Sequence, residues 1–225
     1  MDVIGTFLNR LPRFLPALLL LIVHSVQLLA INPANVWGAT EGKSESHFDG
    51  FLAAQRSDAE LNDLFVLSPD HLWAVGERGT ILFSEDGGRN WRIQESGTTC
   101  SLRGVYFSDS QRGWAVGFHL APYSQRPHGI VLQTIDGGKR WQMIPQPFLP
   151  PLYGIQPNAQ GNLITWGNWS SQLSSSVFES MDGGKQWAPL PNLSSTFQKL
   201  APLGTGNLGL DDQGQLWRWE LEGAI

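Results

Sequence analysis

The chain has 225 residues, of which 41% are hydrophobic and 16% are charged, which is the composition of a globular protein of one domain with an appendage. The formal net charge is -5 and no basic run is present, which argues against a nucleic-acid-binding surface. Cys100 is the only cysteine, so an internal disulfide is excluded. Frequent glycine (25), proline (14) and tryptophan (10) favour a turn-rich, all-β chain.

The first 39 residues form a segment of their own. Arginines at positions 10 and 13 precede an apolar run over residues 15–31, which is the pattern of a signal peptide. The run is also just long enough for an uncleaved signal anchor, so both interpretations stay open. Either one places the remainder outside the cytoplasm, in a periplasmic, lumenal or extracellular space. Residues 40–56 are predicted to be a linker, whose residues 46–54 could also supply a closing strand.

An internal repeat occupies residues 57–225. Four units begin with a leucine or phenylalanine at about 61–96, 102–146, 152–190 and 197–220. In the first three units a glycine follows the opening leucine at a constant offset of 15 residues, from Leu61 to Gly76, Leu102 to Gly117 and Leu152 to Gly167. A constant offset over three units is a more specific signal of repetition than any short motif.

Each unit is predicted to contain four short strands. In the first unit we place them at about 61–67, 71–76, 80–84 and 91–96, where alternating apolar residues are separated by Pro-Asp, Gly and Asp-Gly-Gly breaks. The fourth unit ends after its third strand. A repeat of 40–50 residues with four strands predicts an all-β propeller of about four antiparallel blades. An incomplete ring, or a ring completed by a homodimer, is compatible with this number of units.

The first three units end in the pattern [ST]-x-D-G-G-x-x-W, at the predicted turn between their third and fourth strands. We expect the hydroxyl and carboxylate to close the turn, the glycines to permit positive φ, and the tryptophan to pin the hairpin to a neighbouring blade. Because equivalent positions lie one per blade, the three carboxylates are not expected to converge on a substrate. The residues of this structural motif are Ser84, Asp86, Gly88, Trp91, Thr134, Asp136, Gly138, Trp141, Ser180, Asp182, Gly184 and Trp187.

This motif is the Asp-box, or BNR repeat, of sialidases and many exported propellers. The longer pattern L-x-x-[LV]-x-F, then W-A-V-G, then an Asp-box resembles the photosystem II stability/assembly factor family over about residues 57–220. The resemblance implies a propeller that assists the assembly or stability of a membrane protein complex. Full-length members of that family are similar to seven-bladed propellers, whereas this chain has four units.

The predicted binding face lies opposite the Asp-boxes. In a four-stranded meander the turn between strands two and three lies at the edge away from the Asp-box, and units two and three carry their insertions there. Loops on a rigid scaffold commonly carry binding residues. We therefore expect a peptide or protein segment to bind through Arg78, His119, Tyr123, Arg126, His128 and Trp169.

Two functions remain in contention at this point. The favoured one is a non-enzymatic, extracytoplasmic binding scaffold, for which we expect no catalytic residues, no cofactor and no nucleic acid partner. The two histidines of the insertion in unit two, His119 and His128, lack a third ligand at a recognisable spacing, so no metal is expected either. The alternative is an exported glycoside hydrolase of the sialidase-like Asp-box type, which requires paired catalytic carboxylates that the pattern does not provide.

Overall fold

A computed structural model describes residues 58–120, 127–146, 149–191, 193, 195–204 and 206–220. The predicted signal segment (1–39) and linker (40–56) therefore lie outside the described residues. Within the described part of the chain, no helix has the length and apolar character needed to cross a membrane.

Among the described residues, fifteen antiparallel strands form four consecutive meander sheets, which we call blades 1 to 4. Blade 1 contains β1 (Leu61–Val66), β2 (Leu72–Gly76), β3 (Ile81–Ser84) and β4 (Arg92–Gln94). Blade 2 contains β5 (Ser101–Phe107), β6 (Gly113–Leu120), β7 (Pro127–Thr134) and β8 (Gln142–Ile144). Blade 3 contains β9 (Leu152–Pro157), β10 (Leu163–Ser170), β11 (Ser175–Ser180) and β12 (Ala188–Pro189). Blade 4 contains β13 (Phe197–Leu203), β14 (Gly206–Asp211) and β15 (Leu216–Glu220).

The prediction of an all-β propeller architecture is confirmed by these sheets. The first strands lie innermost, since β1 packs against β5, β5 against β9 and β9 against β13. The strands found in unit one deviate from the predicted ones by one or two residues at most ends, as hydrogen-bond criteria at strand ends allow. A single short 3-10 turn, Glu77–Gly79, is the only helical element among the described residues.

A shared β-bulge explains the constant 15-residue offset. In blade 1, Leu61 pairs with Gly76 and Asp63 pairs with Val75, so one extra residue is accommodated between the two pairs. The same irregularity follows the opening residue of the other three blades. A Cβ atom on Gly76 would lie 2.2 Å from the backbone oxygen of Glu60. The backbone next to the opening residue therefore lies so close to this glycine that a side chain at the glycine position would clash with it.

Apolar clusters lie between the blades rather than at one central core. Between blades 1 and 2, Trp73 stacks on Phe107 with ring centroids 3.8 Å apart, and the cluster includes Val75, Leu102 and Leu132. Equivalent clusters join blade 2 to blade 3 and blade 3 to blade 4. Large aromatic and aliphatic side chains thus stabilise each blade through its neighbour.

The insertions of units two and three differ from the predicted loops. They lengthen the hairpins, so that β6 and β10 each have eight residues whereas β2 has five. Phe118 pairs with Gly129 and His119 pairs with His128 in the extended ladder. The reason is that the inserted residues continue the antiparallel pairing of the strands on both sides, which satisfies their backbone groups. The two hairpins therefore project from the blades as paired strands.

Candidate functional site

The two edges of the blades carry different features. The Asp-boxes, after β3, β7 and β11, lie at one edge, which we call the Asp-box edge. The turns between the second and third strands, together with the bulges at the start of the first strands, lie at the other edge. We call this second edge the insertion face, and define it by residues 60–62, 77–79, 100–103, 117–120, 127–129, 149–153 and 167–175.

At the Asp-box edge, each carboxylate is engaged by its own turn. Asp86 Oδ1 accepts hydrogen bonds from the Ser84 hydroxyl at 2.9 Å and from the Asn90 backbone amide at 2.8 Å. The backbone and side chain of Asn90 hold the pKa of Asp86 down at about 2. Asp136 and Asp182 are held in the same way, chiefly by backbone amides of Arg140 and Gln186 respectively, which lower their pKa values.

The Asp-boxes of blades 2 and 3 also bind the preceding blade. Gln94, at the end of β4, donates to the backbone oxygen of Gly137 at 2.9 Å and accepts from the Trp141 indole at 3.2 Å. In blade 3, the backbone oxygen of Gly183 accepts from the Trp114 indole of blade 2 at 2.9 Å.

The tryptophan rings of the Asp-boxes in blades 2 and 3 also pack towards the preceding blade. Trp141 is 7% exposed and packs in the cluster between blades 1 and 2. Trp187 packs against the cluster between blades 2 and 3. Trp91 instead packs on its own blade, against Ala74 and Leu82. The Asp-box edge thus joins consecutive blades, and its carboxylates are used in local hydrogen bonds.

On the insertion face, a polar cluster joins blades 1 and 2. The Arg103 guanidinium lies 3.0 Å from Glu77, and the two side chains are 37% and 32% exposed. The same Glu77 oxygen accepts from Ser101 at 2.8 Å and from Asn62 at 3.2 Å. Arg103 also lies over the ring of Phe118, 5.5 Å from its centroid. These contacts orient a guanidinium that remains partly accessible at the edge of the protein.

Two of the predicted binding residues, His119 and His128, face one another beside this cluster. Their rings are 5.3 Å apart and T-shaped. His119 Nδ1 lies 3.3 Å from the sulfur of Cys100, which is buried. Among the described residues, no group of three histidine, cysteine, aspartate or glutamate side chains is arranged to hold a metal ion. The two histidines form an aromatic pair, one member of which contacts the buried Cys100 thiol.

The other predicted binding residues lie at different places on this face. Arg78 has a left-handed φ of 58° in the turn after β2 and pairs with exposed Asp58 at 2.8 Å. Trp169, in β10, is 45% exposed. The predicted residues Tyr123 and Arg126 lie outside the described residues.

Backbone contacts make the insertion face continuous over blades 1 to 3. Gly79 donates to the backbone oxygen of Cys100 at 2.7 Å, which joins the turn of blade 1 to blade 2. Gly129 donates to the oxygen of Leu149 at 2.7 Å, which joins the β6–β7 hairpin to the segment entering blade 3. The Tyr153 hydroxyl donates to Asn168 at 2.6 Å, next to Trp169. Residues from three blades therefore share one surface.

The sequence interpretation missed Arg103, Glu77 and Tyr153. Arg103 and Tyr153 occupy the bulge, the position directly after the opening residue of the unit, where blade 1 has Asn62 and blade 4 has Gln198. A polar or amphipathic residue at that position in all four units was the available signal. A side chain at a bulge is re-aimed relative to the regular alternation of the strand, so strand alternation alone does not reveal it.

The chain resembles known proteins in both sequence and fold. The family model described as photosynthesis system II assembly factor YCF48 matches residues 27–121, which is less than half of the chain. A search of curated proteins gave no significant match.

Three solved structures illustrate the fold comparison. YCF48 bound to a D1 peptide is 24% identical with a TM-score of 0.56, over 74% of this chain and 52% of that one. This chain therefore spans about half the length of that protein. An ancestral GH74 enzyme is 14% identical with a TM-score of 0.50, over 67% of this chain and 22% of the enzyme. YCF48 from Cyanidioschyzon merolae is 16% identical with a TM-score of 0.40, over 74% and 69%.

Proposed function

We propose that this chain, for which the comparisons support a photosystem II assembly factor-like family, is a non-enzymatic scaffold that binds a peptide segment of a membrane protein. The binding surface in this proposal is the insertion face. An extracytoplasmic location is part of the proposal and follows from the signal-like pattern of residues 1–39.

The observation that carries the proposal is the continuity of the insertion face across three blades. It presents a partly exposed guanidinium, Arg103, and a 45% exposed indole, Trp169, on paired strands rather than on free loops. Arginine and tryptophan are enriched among the residues that dominate binding energy. Because strands hold these side chains in place, little conformational entropy is lost when a segment binds.

The class of partner is supported by a fold neighbour. The structure of YCF48 that shares this fold contains a D1 peptide. A peptide presents backbone carbonyls and side chains along one line, which suits a surface on which an arginine and a histidine pair lie on blade 2 and an indole lies on the neighbouring blade 3. We therefore propose an extended segment of a membrane protein as the ligand, with a D1 peptide as the first probe.

A hydrolase is the competing function, and it has one supporting observation in the GH74 fold neighbour. The geometry of the Asp-box carboxylates supports the scaffold instead. Asp86, Asp136 and Asp182 belong to three different blades and each accepts hydrogen bonds from its own turn. Hydrolysis of sialosides or β-glucans by the purified chain at a rate abolished by an aspartate substitution would favour the hydrolase.

The proposal is tested by titrating the full chain against a fluorescently labelled D1 peptide. We expect saturable binding that Trp169→Ala weakens at least tenfold, because the variant removes a 45% exposed indole from the insertion face. The matched control is Met181→Ala, which truncates a 78% exposed side chain at the Asp-box edge of the same blade and should leave binding unchanged. Equal loss in both variants, or no binding by the wild type, would contradict the proposal.

A further inference from the structure

The joint between blades 3 and 4 contains buried polar atoms that have no hydrogen-bond partner. These atoms are Gln156 Nε2, Asn207 Nδ2 and Oδ1, and Trp219 Nε1. Gln156 pairs with Ile164, which belongs to the apolar cluster between the two blades, and Asn207 pairs with Trp219, which packs against that cluster. Directly paired residues of a sheet share a face, so all three side chains face this joint. The other such atoms among the described residues are Trp73 Nε1 and Thr80 Oγ1 of blade 1.

The preceding joint satisfies its polar groups at the same place. The equivalents of the three residues by strand register are, in the same order, Tyr106, Leu163 and Ser180. These residues line one cavity between blades 2 and 3. The Ser180 hydroxyl donates to Asp182 at 2.9 Å and accepts from the Gly184 amide at 2.8 Å, within its own Asp-box. Only the joint of blades 3 and 4 therefore carries unpartnered atoms at this position, among the described residues of the two joints.

The unpartnered atoms lie at the Asp-box end of the joint, since each of the three residues is one position from a strand end at the Asp-box edge. At the other two joints, the Asp-box of the following blade accepts hydrogen bonds there from the preceding blade, through Gly137 and Gly183. In blade 4 the positions of the Asp-box serine and aspartate are Trp219 and Leu221. Neither side chain can accept the backbone amides of a tight turn, so the joint of blades 3 and 4 lacks this contact.

The opposite end of the same joint, at the insertion face, is held by hydrogen bonds. The Trp166 indole of blade 3 donates to the backbone oxygen of Gln198 in blade 4 at 3.3 Å. The backbone amide of Ser176 in blade 3 donates to the backbone oxygen of Leu193 at 3.2 Å, in the segment that enters blade 4. Blade 4 is thus attached to blade 3 at the insertion end and is unpaired at the Asp-box end.

We propose that blade 4 is a hinged flap, which swings away from blade 3 at the Asp-box end of the joint and stays attached at the insertion end. A buried polar atom without a partner opposes closure, because water satisfies it once the joint is open. The apolar cluster between the two blades holds the closed state, so the flap is a two-state element. Blades 1 to 3 stay closed, because an Asp-box links each of their joints. This proposal does not rest on peptide binding.

Thiol labelling of buried positions measures the opening of each joint. The full chain carries Cys100→Ala, so that a single introduced cysteine reacts with a water-soluble maleimide. Ile155 and Leu200 are matched positions, because they are equivalent by strand register and are buried at the joints of blades 2 and 3 and of blades 3 and 4, respectively. We expect Leu200→Cys to react at least tenfold faster than Ile155→Cys. Leu193→Cys, at the insertion end of the flap joint, should react as slowly as Ile155→Cys.

Removal of the unpartnered atoms should hold the flap closed. Asn207→Leu replaces the amide with the side chain that Leu163 provides at the equivalent position of blade 3. It should slow labelling at position 200 at least tenfold and leave labelling at position 155 unchanged. Trp219→Phe removes the indole Nε1 alone and should also slow labelling at position 200. The reverse exchange, Leu163→Asn, should speed labelling at position 155, because it places an amide at the joint of blades 2 and 3.

Three results would overturn the proposal. Equal labelling rates at positions 155 and 200 would show that the joint opens only together with the rest of the protein. Labelling at position 193 as fast as at position 200 would show that blade 4 detaches or unfolds as a whole instead of turning on a hinge. Unchanged labelling at position 200 in both Asn207→Leu and Trp219→Phe would show that the unpartnered atoms do not drive the opening.

Discussion

The link between an Asp-box and the preceding blade can be measured with two matched glycine substitutions. Gly88 and Gly138 occupy the same position in the Asp-boxes of blades 1 and 2, and both have a φ of +84°. Alanine at either position is therefore strained to the same extent. The surroundings differ: the nearest atom to a Cβ on Gly88 is 3.6 Å away in Trp91, whereas a Cβ on Gly138 would lie 1.9 Å from the side-chain oxygen of Gln94.

The expected magnitudes follow from these contacts. The left-handed conformation costs a residue with a Cβ about 1–2 kcal/mol, and this cost is common to both variants. Gly138→Ala must also displace Gln94, which breaks its hydrogen bonds to Gly137 and to the Trp141 indole. Each lost bond costs about 1 kcal/mol, so Gly138→Ala should reduce the free energy of unfolding by about 2 kcal/mol more than Gly88→Ala does.

Urea unfolding of both variants, followed by far-ultraviolet circular dichroism, measures this difference. The slope of the free energy against urea should be unchanged, so that the shift in midpoint reports stability alone. Equal losses of stability in the two variants would refute the reasoning, because Gln94 would then contribute nothing to the contact between blades 1 and 2. A larger loss in Gly88→Ala would refute it as well.

Three further predictions concern single residues. The pKa of Asp86 falls from the usual 3.8 to about 2 on folding, so its carboxylate stabilises the fold above about pH 4 and this stabilisation is lost as the pH falls through about 2. In urea titrations, the difference in free energy of unfolding between wild type and Asp86→Asn should therefore shrink from pH 5 to pH 2. Burial raises the pKa of Asp63, so the contribution of this side chain to the free energy of unfolding is full below pH 3.8 and is lost as the pH rises. Asp63→Asn should therefore unfold at a higher urea concentration than wild type at pH 7, and the difference should vanish at pH 3. Gly117→Ala places a Cβ 1.9 Å from the Ser101 backbone oxygen and should lower the free energy of unfolding by about 1–3 kcal/mol, whereas a midpoint equal to that of wild type would show that the bulge can relax.

The repeat made the blade architecture predictable from sequence. The Leu61-to-Gly76 spacing recurs because a bulge follows the opening residue and the backbone approaches the glycine closely. Only a glycine fits at that position, so the constraint is visible as a residue type at a constant spacing. The Asp-box is equally local, since Ser84 and Asp86 complete their hydrogen bonds within one turn. Constraints that act within a few residues, or at a constant spacing, leave patterns that a single sequence displays.

The site was less predictable because its contacts cross between blades. Arg103 meets Glu77 from 26 positions earlier in the chain, and the pairing depends on how blade 2 is placed against blade 1. The length of the β6–β7 hairpin was likewise hidden, because Phe118 and His119 look like loop residues until their partners in β7 are known. The assignment of peptide binding to Arg78, His119, His128 and Trp169 stays a prediction.

Site-specific photocrosslinking tests the central claim, that the insertion face receives a membrane protein segment. A photoreactive amino acid is introduced into the full chain at position 169 on the insertion face, or at position 181 on the Asp-box edge of the same blade, and the protein is irradiated in native membranes. The account predicts adducts with a defined membrane protein from position 169, reduced by excess unlabelled D1 peptide, and none from position 181. Adducts of equal yield from both positions, or from position 181 alone, would contradict it.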